Sequence, residues 1–120
     1  MCGIFGGINA GFSAQTLERL EHRGPDQSSY GVESTEQGAE LSFGQTRLNV
    51  VCRDDVELPV RMNDTTIVYN GEIYNHPELR SELEALGHTF RTRTDTEVAL
   101  AAYLQWGPGC LERFNGNPRR

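Results

Sequence analysis

The chain has 120 residues, a formal net charge of -6 at pH 7 and a calculated isoelectric point near 5.0. This length predicts a single domain over residues 1–120 with one hydrophobic core. Nucleic acids and anionic membranes are bound through clustered cations, so the acidic balance argues against both as partners. The eleven basic residues are all arginine and are scattered apart from the terminal pair, Arg119 and Arg120.

The N-terminal residues and the cysteines indicate the cellular compartment and the kinds of site to expect. The chain shows neither the basic start and apolar core of a signal peptide nor an apolar run of membrane-spanning length, which predicts a cytoplasmic protein. Cys2, Cys52 and Cys110 are odd in number and widely spaced. This pattern is typical neither of a disulfide scaffold nor of a zinc site, so no metal is expected. Cys110 is predicted to be a small buried hydrophobic residue, and Cys52 is predicted to take no part in catalysis.

The first half of the chain is predicted to consist mainly of strands. A glycine-rich strand over residues 3–9 is followed by a turn at Gly11 and a helix opened by Ser13, which stops near residues 23–25. Alternating apolar residues predict strands over 28–33 and 41–51, with an irregular polar connection over 54–64. The clearest strand runs over 65–69, just before Asn70.

The second half is predicted to be helical. Pro77 suits a first helical position, leucines follow on one face, and Gly87 suits the end of that helix. Thr94 and Glu97 match a capping box ahead of an apolar run, which predicts a third helix ending near Gly107. Strands followed by helices indicate the α+β class.

Cys2 carries the most distinctive chemistry. Removal of Met1 would place a thiol and a free α-amine on one residue. An α-amine titrates near pH ~7.7 to 8, so it can accept the proton of the neighbouring thiol. Cys2 is therefore a candidate nucleophile with its own base, whereas retention of Met1 would convert the amine into an amide and remove that base.

Asn70 and Gly71 have two interpretations. An Asn-Gly pair after a β-branched run is a common signal for a two-residue hairpin turn. Alternatively, the side-chain amide of Asn70 and the backbone N–H of Gly71 are two neutral donors suited to an oxyanion. An oxyanion site is what acyl transfer by a thiol requires.

Three charged residues also have a structural and a functional interpretation. Arg47 is either a surface residue of a strand or a bidentate clamp on a substrate carboxylate. Asp95 either favours a helix N-terminus or binds a substrate ammonium group. His22 could serve as a base, but its position favours a turn or a helix end.

Five short motifs occur in order along the chain and read MCGI, HRGPD, RL, YNGEIYN followed by ELR, and TDTEV. They resemble, in order and spacing, the glutaminase domain of glutamine-hydrolysing asparagine synthetases. That domain is a class II glutamine amidotransferase of the N-terminal-nucleophile hydrolase fold. The resemblance runs from Met1 to about Gly116. Gln45 stands where many members of that family have histidine.

The resemblance implies hydrolysis of glutamine to glutamate and ammonia through a thioester on Cys2. The Cys2 amine would act as base and then as acid, while Asn70 and the Gly71 N–H would form the oxyanion hole. It implies no cofactor for this half-reaction, because ATP and magnesium belong to a separate synthetase domain.

The resemblance also implies the groups that bind the substrate. Arg47 would hold the α-carboxylate of glutamine, and Leu48 belongs to the same motif. Asp95 would hold the α-amino group, helped by the backbone at Gly71 and Glu72. The ammonia would pass to an acceptor reaction like that of asparagine synthetase, on a separate synthetase subunit.

The expected fold is an αββα sandwich that is incomplete at its C-terminus, with no synthetase domain in the chain. Uncovered strand edges would then favour a synthetase partner or self-association. Two other functions stay open at this point. One is a non-catalytic or partner-dependent glutamine-binding module, and the other is an amidohydrolase for another amide, against which Arg47 and Asp95 argue.

Overall fold

The computed structural model describes residues 3–47, apart from the side chain of Arg47, and residues 60–115. Helices and strands both occur in this part of the chain, which confirms a mixed α and β architecture. The αββα sandwich remains a prediction. Contacts between residues divide the chain into two compact units, Met1–Pro59 with Val68–Asn70, and Val60–Ile67 with Gly71–Arg120.

The first unit is built on a three-stranded antiparallel sheet. Its order is β1-β3-β2, so the strand that comes last in the chain lies in the middle. A short helix and a 3-10 turn connect the first two strands. In chain order the elements are β1 Gly3–Ile8, α1 Ala14–Glu18, the 3-10 turn Glu21–Arg23, β2 Gln27–Ser34 and β3 Glu40–Arg47.

Aromatic side chains pack on one face of this sheet. The rings of Phe5 and Phe12 meet edge to face with centroids 5.3 Å apart, and the Tyr30 hydroxyl donates to the Phe12 carbonyl at 3.0 Å. Gly44 lies on the central strand beneath the Phe5 ring, and a Cβ there would come within 2.3 Å of that ring. The absence of a side chain at Gly44 therefore lets the aromatic cluster close against the sheet.

The second unit contains a hairpin and two helices. Strands β4 (Val60–Met62) and β5 (Thr65–Ile67) pair antiparallel around a turn in which Asn63 has a φ of 52°. Helix α2 covers His76–Ala85, and α3 covers Asp95–Trp106 with a 3-10 continuation over Gly107–Arg113.

The core of the second unit lies between its helices. Leu83 and Val98 are fully buried, and Cys110 is 2% exposed, which confirms the predicted buried cysteine. Burial raises the pKa of the Cys110 thiol, and a backbone hydrogen bond lowers it by a smaller amount. Helix α3 buries six consecutive residues, 97–102, so most of its circumference faces protein.

Most predicted elements of the first half are confirmed. The strands predicted over 3–9 and 28–33 correspond to β1 and β2, and β3 covers the first part of the strand predicted over 41–51. Residues 48–51 lie outside the described part of the chain. The helix opened by Ser13 is shorter than predicted, because α1 ends at Glu18 and a separate 3-10 turn follows, in which His22 is exposed.

The second half shows two differences from the predictions. The irregular connection predicted over 54–64 is wrong for residues 60–62, which form β4. The hairpin interpretation of Asn70 and Gly71 is also wrong, because β5 already ends at Ile67 and the element that follows it is α2. The ends of α2 and α3 are confirmed, with Gly87 and Gly107 at positive φ angles of 98° and 65°.

Candidate active site

The end of strand β3 carries three consecutive polar residues, Gln45, Thr46 and Arg47. Successive side chains of a strand point to opposite faces, so Gln45 and Thr46 serve different sides of the sheet. Gln45 is 4% exposed and Thr46 is fully buried. Buried polar groups are nearly always hydrogen-bonded, and the partners of these two indicate what the strand end positions.

Thr46 holds the beginning of the chain. Its Oγ1 accepts the backbone N–H of Gly3 at 3.1 Å and donates to the Leu20 carbonyl at 3.1 Å. Gly3 and Thr46 are register partners in the antiparallel pair, and a Cβ on Gly3 would lie 2.9 Å from the same hydroxyl oxygen. The residue that directly follows Cys2 is therefore fixed by a buried hydroxyl. Cys2 itself lies outside the described residues.

Gln45 holds the segment that leads to Asn70. Its Nε2 donates to the Tyr69 carbonyl at 2.8 Å, and its Oε1 accepts the Tyr69 N–H at 3.4 Å. Residues 68–70 have no regular secondary structure, yet they belong to the first unit. The side chain of Gln45 thus pairs with the backbone of Tyr69 as a neighbouring strand would.

Asp95 fixes the segment that follows Gly71, within the second unit. It is the first residue of α3, and its Oδ2 accepts the backbone N–H of Ile73 at 3.0 Å. Ile73 is 4% exposed, whereas Asp95 is half-buried. Acidic residues are favoured in the first turn of a helix, and Asp95 occupies the first position of α3. Asp95 is thereby oriented beside the backbone N–H of Ile73.

A buried carboxylate and a guanidinium order the loop in front of Asp95. Glu97, 4% exposed, accepts the N–H groups of Arg91 and Thr92 at 2.9 and 3.0 Å. Arg80 donates to the carbonyls of Thr92 and Thr94 at 2.8 and 3.2 Å. The predicted capping box therefore marks the start of α3 correctly, but Glu97 reaches past the N-cap to the loop before it.

Asn75 connects the same segment to the end of the described chain. Its Oδ1 accepts the N–H of Asn115 at 2.7 Å, and its Nδ2 donates to the Arg113 carbonyl at 2.9 Å. The Asn115 carbonyl in turn accepts the N–H of Tyr74 at 2.7 Å. Residues 73–75 are consequently held by Asp95 at one end and by residues 113–115 at the other.

The structure describes only some of the predicted site residues. Leu48, like Cys2, lies outside the described residues, and Arg47 is described as the last residue of β3 without its side chain. Asn70 is a half-buried residue of the first unit, whereas Gly71 and Asp95 belong to the second.

Within the second unit, Asp95 and the Gly71 segment are brought together through the neighbouring Ile73. The side chain of Glu72 is exposed, so its expected contribution is through the backbone. Sequence reasoning did not identify the supporting contacts of Gln45, Thr46 and Glu97. The local signals were the polar pair Gln45 and Thr46 within a predicted strand and the capping-box position of Glu97.

The part of the chain that the structure describes offers neither a metal-binding cluster nor a membrane-spanning helix. Among residues 3–47 and 60–115, no group of three or more His, Cys, Asp or Glu side chains is arranged to hold a metal ion. None of the helices in these ranges has the length and hydropathy needed to cross a bilayer.

Comparison with known proteins decides the family. A family model described as a glutamine amidotransferase domain matches residues 1–117. The chain belongs to this glutamine amidotransferase family. The resemblance carried by the five motifs is therefore confirmed, and the ordered backbone around residues 69–75 belongs to a glutamine amidotransferase domain.

Curated relatives of this glutamine amidotransferase domain are asparagine synthetases. Across 97% of its length the chain is 38% and 39% identical to the glutamine-hydrolyzing asparagine synthetases 1 and 3 of Bacillus subtilis (strain 168). Across 97% it is also 35% identical to the glutamine-hydrolyzing asparagine synthetase of Sandersonia aurantiaca. The matches cover 20%, 20% and 23% of those proteins, so the chain spans about a fifth of their length.

Proposed function

We propose that the chain is the glutaminase part of a glutamine-dependent amidotransferase and hydrolyses glutamine to glutamate and ammonia. The family match and the asparagine synthetase relatives support this function. The observation that carries it in the structure is the fixed backbone on either side of Asn70 and Gly71. Gln45 holds Tyr69 in the first unit, and Asp95 holds Ile73 in the second.

In the proposed reaction, the Cys2 sulfur attacks the side-chain amide carbon of glutamine while the Cys2 α-amine takes the thiol proton. The amide oxygen becomes an oxyanion that accepts hydrogen bonds from the Asn70 side chain and the Gly71 N–H. Collapse of this intermediate breaks the carbon–nitrogen bond, and the protonated amine gives its proton to the departing ammonia. Water, activated by the same amine, then hydrolyses the thioester to glutamate.

Preorganised donors explain why the ordered backbone matters. A donor stabilises an oxyanion only if it already points at the place where charge develops. Backbone that is hydrogen-bonded immediately before Asn70 and two residues after Gly71 cannot rotate freely. The Gln45 contact therefore restrains the backbone that leads to Asn70, and the Asp95 contact separately restrains the backbone that follows Gly71.

Two residues that we assign to substrate binding carry charges opposite to those of the α-carboxylate and α-ammonium groups of glutamine. Arg47 with Leu48 would receive the α-carboxylate, and Asp95 with the backbone of Gly71 and Glu72 would receive the α-ammonium. The contact from Ile73 fixes the orientation of the Asp95 carboxylate, which reduces the entropy lost when a cation binds. We further propose that the ammonia serves an acceptor reaction like that of asparagine synthetases.

The proposed function is tested by comparing L-glutamine with Nα-acetyl-L-glutamine, which lacks the ammonium charge. We expect glutamate release from glutamine, with kcat/KM for the acetylated compound lower by ~10-fold or more, as for loss of a charge-assisted hydrogen bond. Asp95→Asn retains an acceptor for the Ile73 N–H, and it should lower kcat/KM for glutamine far more than for the acetylated compound.

The matched control is Asp64→Asn in the exposed turn of the β4–β5 hairpin. It should leave turnover of both compounds unchanged. Equal turnover of the two compounds, or equal effects of the Asp64 and Asp95 variants, would contradict the assignment of Asp95. Binding of glutamine without release of glutamate by the processed chain would instead favour the non-catalytic binding module.

A further inference from the structure

Gln45 contacts Tyr69 through both ends of its side-chain amide. The bond from Nε2 to the Tyr69 carbonyl is 2.8 Å, and the bond from the Tyr69 N–H to Oε1 is 3.4 Å. The Tyr69 backbone itself determines the orientation of the amide, because the N–H requires the oxygen and the carbonyl requires the NH2 group. With 4% exposure, Gln45 makes this contact largely out of water.

The shorter of the two bonds acts on the peptide that joins Tyr69 to Asn70. A peptide unit is planar, so fixing the direction of the Tyr69 carbonyl also fixes the plane in which the Asn70 nitrogen and Cα lie. Strand β5 has ended at Ile67, and residues 68–70 lack a regular strand conformation. Gln45 thus supplies a side-chain anchor one peptide away from Asn70.

We propose that Gln45 is a positioning residue for glutamine hydrolysis, which orients the Asn70 amide toward the oxyanion through the Tyr69–Asn70 peptide. This inference rests on the proposed function, and it adds a residue outside the set assigned to catalysis or substrate binding. Gln45 touches neither the substrate nor the reacting atoms in this role. Its effect is transmitted through the backbone it holds.

The role predicts a specific kinetic signature. The oxyanion exists in the transition state and not in bound glutamine, so misdirecting a donor lowers kcat with little change in KM. Complete loss of an oxyanion donor costs ~100- to 1000-fold in kcat, which sets the upper limit. A misplaced donor retains part of its effect, so we expect a decrease in kcat of ~10- to 100-fold.

Two variants of Gln45 test this inference in the Met1-processed chain. Gln45→Met keeps a side chain of similar length and removes both hydrogen bonds. Gln45→Glu keeps an acceptor for the Tyr69 N–H and loses the donor to the Tyr69 carbonyl. Both should lower kcat for glutamine by ~10- to 100-fold with KM within ~3-fold of the unmodified chain.

The matched control is Gln105→Met, which removes an exposed glutamine of α3 that contacts His88. It should leave kcat unchanged. Two readouts separate positioning from unfolding, namely the urea midpoint and the rate at which iodoacetamide alkylates Cys2, a reaction that forms no oxyanion. Both should match the control in at least one Gln45 variant whose kcat is decreased.

The possible outcomes distinguish this inference from the proposed function. If the unmodified chain releases glutamate and both Gln45 variants keep its kcat, the positioning role is wrong while the glutaminase function stands. If kcat, alkylation rate and urea midpoint fall together in both variants, Gln45 has a purely structural role. If the unmodified chain releases no glutamate, the proposed function fails, and the role of Gln45 fails with it.

Discussion

The hydroxyl of Thr46 offers a direct test of how the chain holds the residue next to Cys2. Thr46→Val replaces this hydroxyl by a methyl group of nearly the same size. The Gly3 N–H and the Leu20 carbonyl then each lose a partner that lay at 3.1 Å. Thr46 is fully buried, so water cannot readily replace the lost hydroxyl.

The expected loss of stability follows from these two contacts. Leaving a buried polar group without a partner costs about 1–3 kcal/mol, so two such groups predict a loss of about 2–6 kcal/mol in the free energy of unfolding. The total stability of a domain is about 5–15 kcal/mol, which makes this loss easy to detect. Thr46→Ser keeps the hydroxyl and removes one methyl group, so it should cost about 1 kcal/mol.

The assay is urea unfolding of the two variants followed by far-ultraviolet circular dichroism. Thr46→Val should shift the midpoint to lower urea considerably more than Thr46→Ser does. The rate of Cys2 alkylation by iodoacetamide should also change in the valine variant, because the adjoining Gly3 N–H is released. Equal midpoints for the two variants would refute the idea that the hydroxyl anchors the start of β1.

Three further predictions concern the second unit. The two carboxylate oxygens of Glu97 each accept a loop N–H group, and Glu97→Gln leaves only one acceptor oxygen. This change should lower the free energy of unfolding in urea by about 1–3 kcal/mol. A loss no larger than that of the exposed control Glu84→Gln would argue against this role. Asn75→Ala should speed amide hydrogen exchange at Asn115, whose N–H donates to Asn75, and unchanged exchange would count against the contact. The raised pKa of buried Cys110 should make its alkylation slow in the folded chain. As pH rises, the Cys110 thiol of the unfolded chain loses its proton at a lower pH than that of the folded chain. The Cys110 contribution to the free energy of unfolding should therefore decline above about pH 8.5. A free energy of unfolding that does not change with pH in this range would contradict the prediction.

Local signals in the sequence account for the ends of the long helices. The positive φ angles of Gly87 and Gly107 are conformations that glycine adopts without strain, so both helix ends could be placed from residue type alone. The start of α3 could also be placed locally, because Thr94 is a residue type favoured at the N-cap of a helix. The partner of Glu97 could not be placed in this way, because the choice between the N-cap and the preceding loop depends on how residues 91–94 fold back.

The strand β4 is difficult to predict because it is short, contains Arg61 and is followed by the polar residues Asn63 and Asp64. Val60–Met62 lies just after Pro59, and its partner β5 is also three residues long. The Asn63-Asp64 pair between them is a turn signal of the kind that favours a hairpin. Residue type also predicts a hairpin turn at Asn70 and Gly71, where the chain instead continues to α2.

The residues assigned to the candidate site come from sequence motifs and remain a prediction, whereas the contacts that support their backbone could not be predicted. Ordered motifs indicated Asn70, Gly71 and Asp95 without any structure. The Thr46 hydrogen bond joins residues 43 positions apart, and those of Gln45 join residues 24 positions apart. Contacts at such separations depend on how the chain folds back on itself, and no local pattern of a single sequence encodes them.

The most direct test of the glutaminase function is release of glutamate from glutamine by the Met1-processed chain. Cys2→Ala is the decisive variant, and Cys110→Ala is the matched control, since that thiol is buried in the second unit. The glutaminase function predicts turnover by the unmodified chain and by the Cys110 variant, and none by the Cys2 variant. Turnover that survives Cys2→Ala, or its absence in a folded and processed chain, would contradict it.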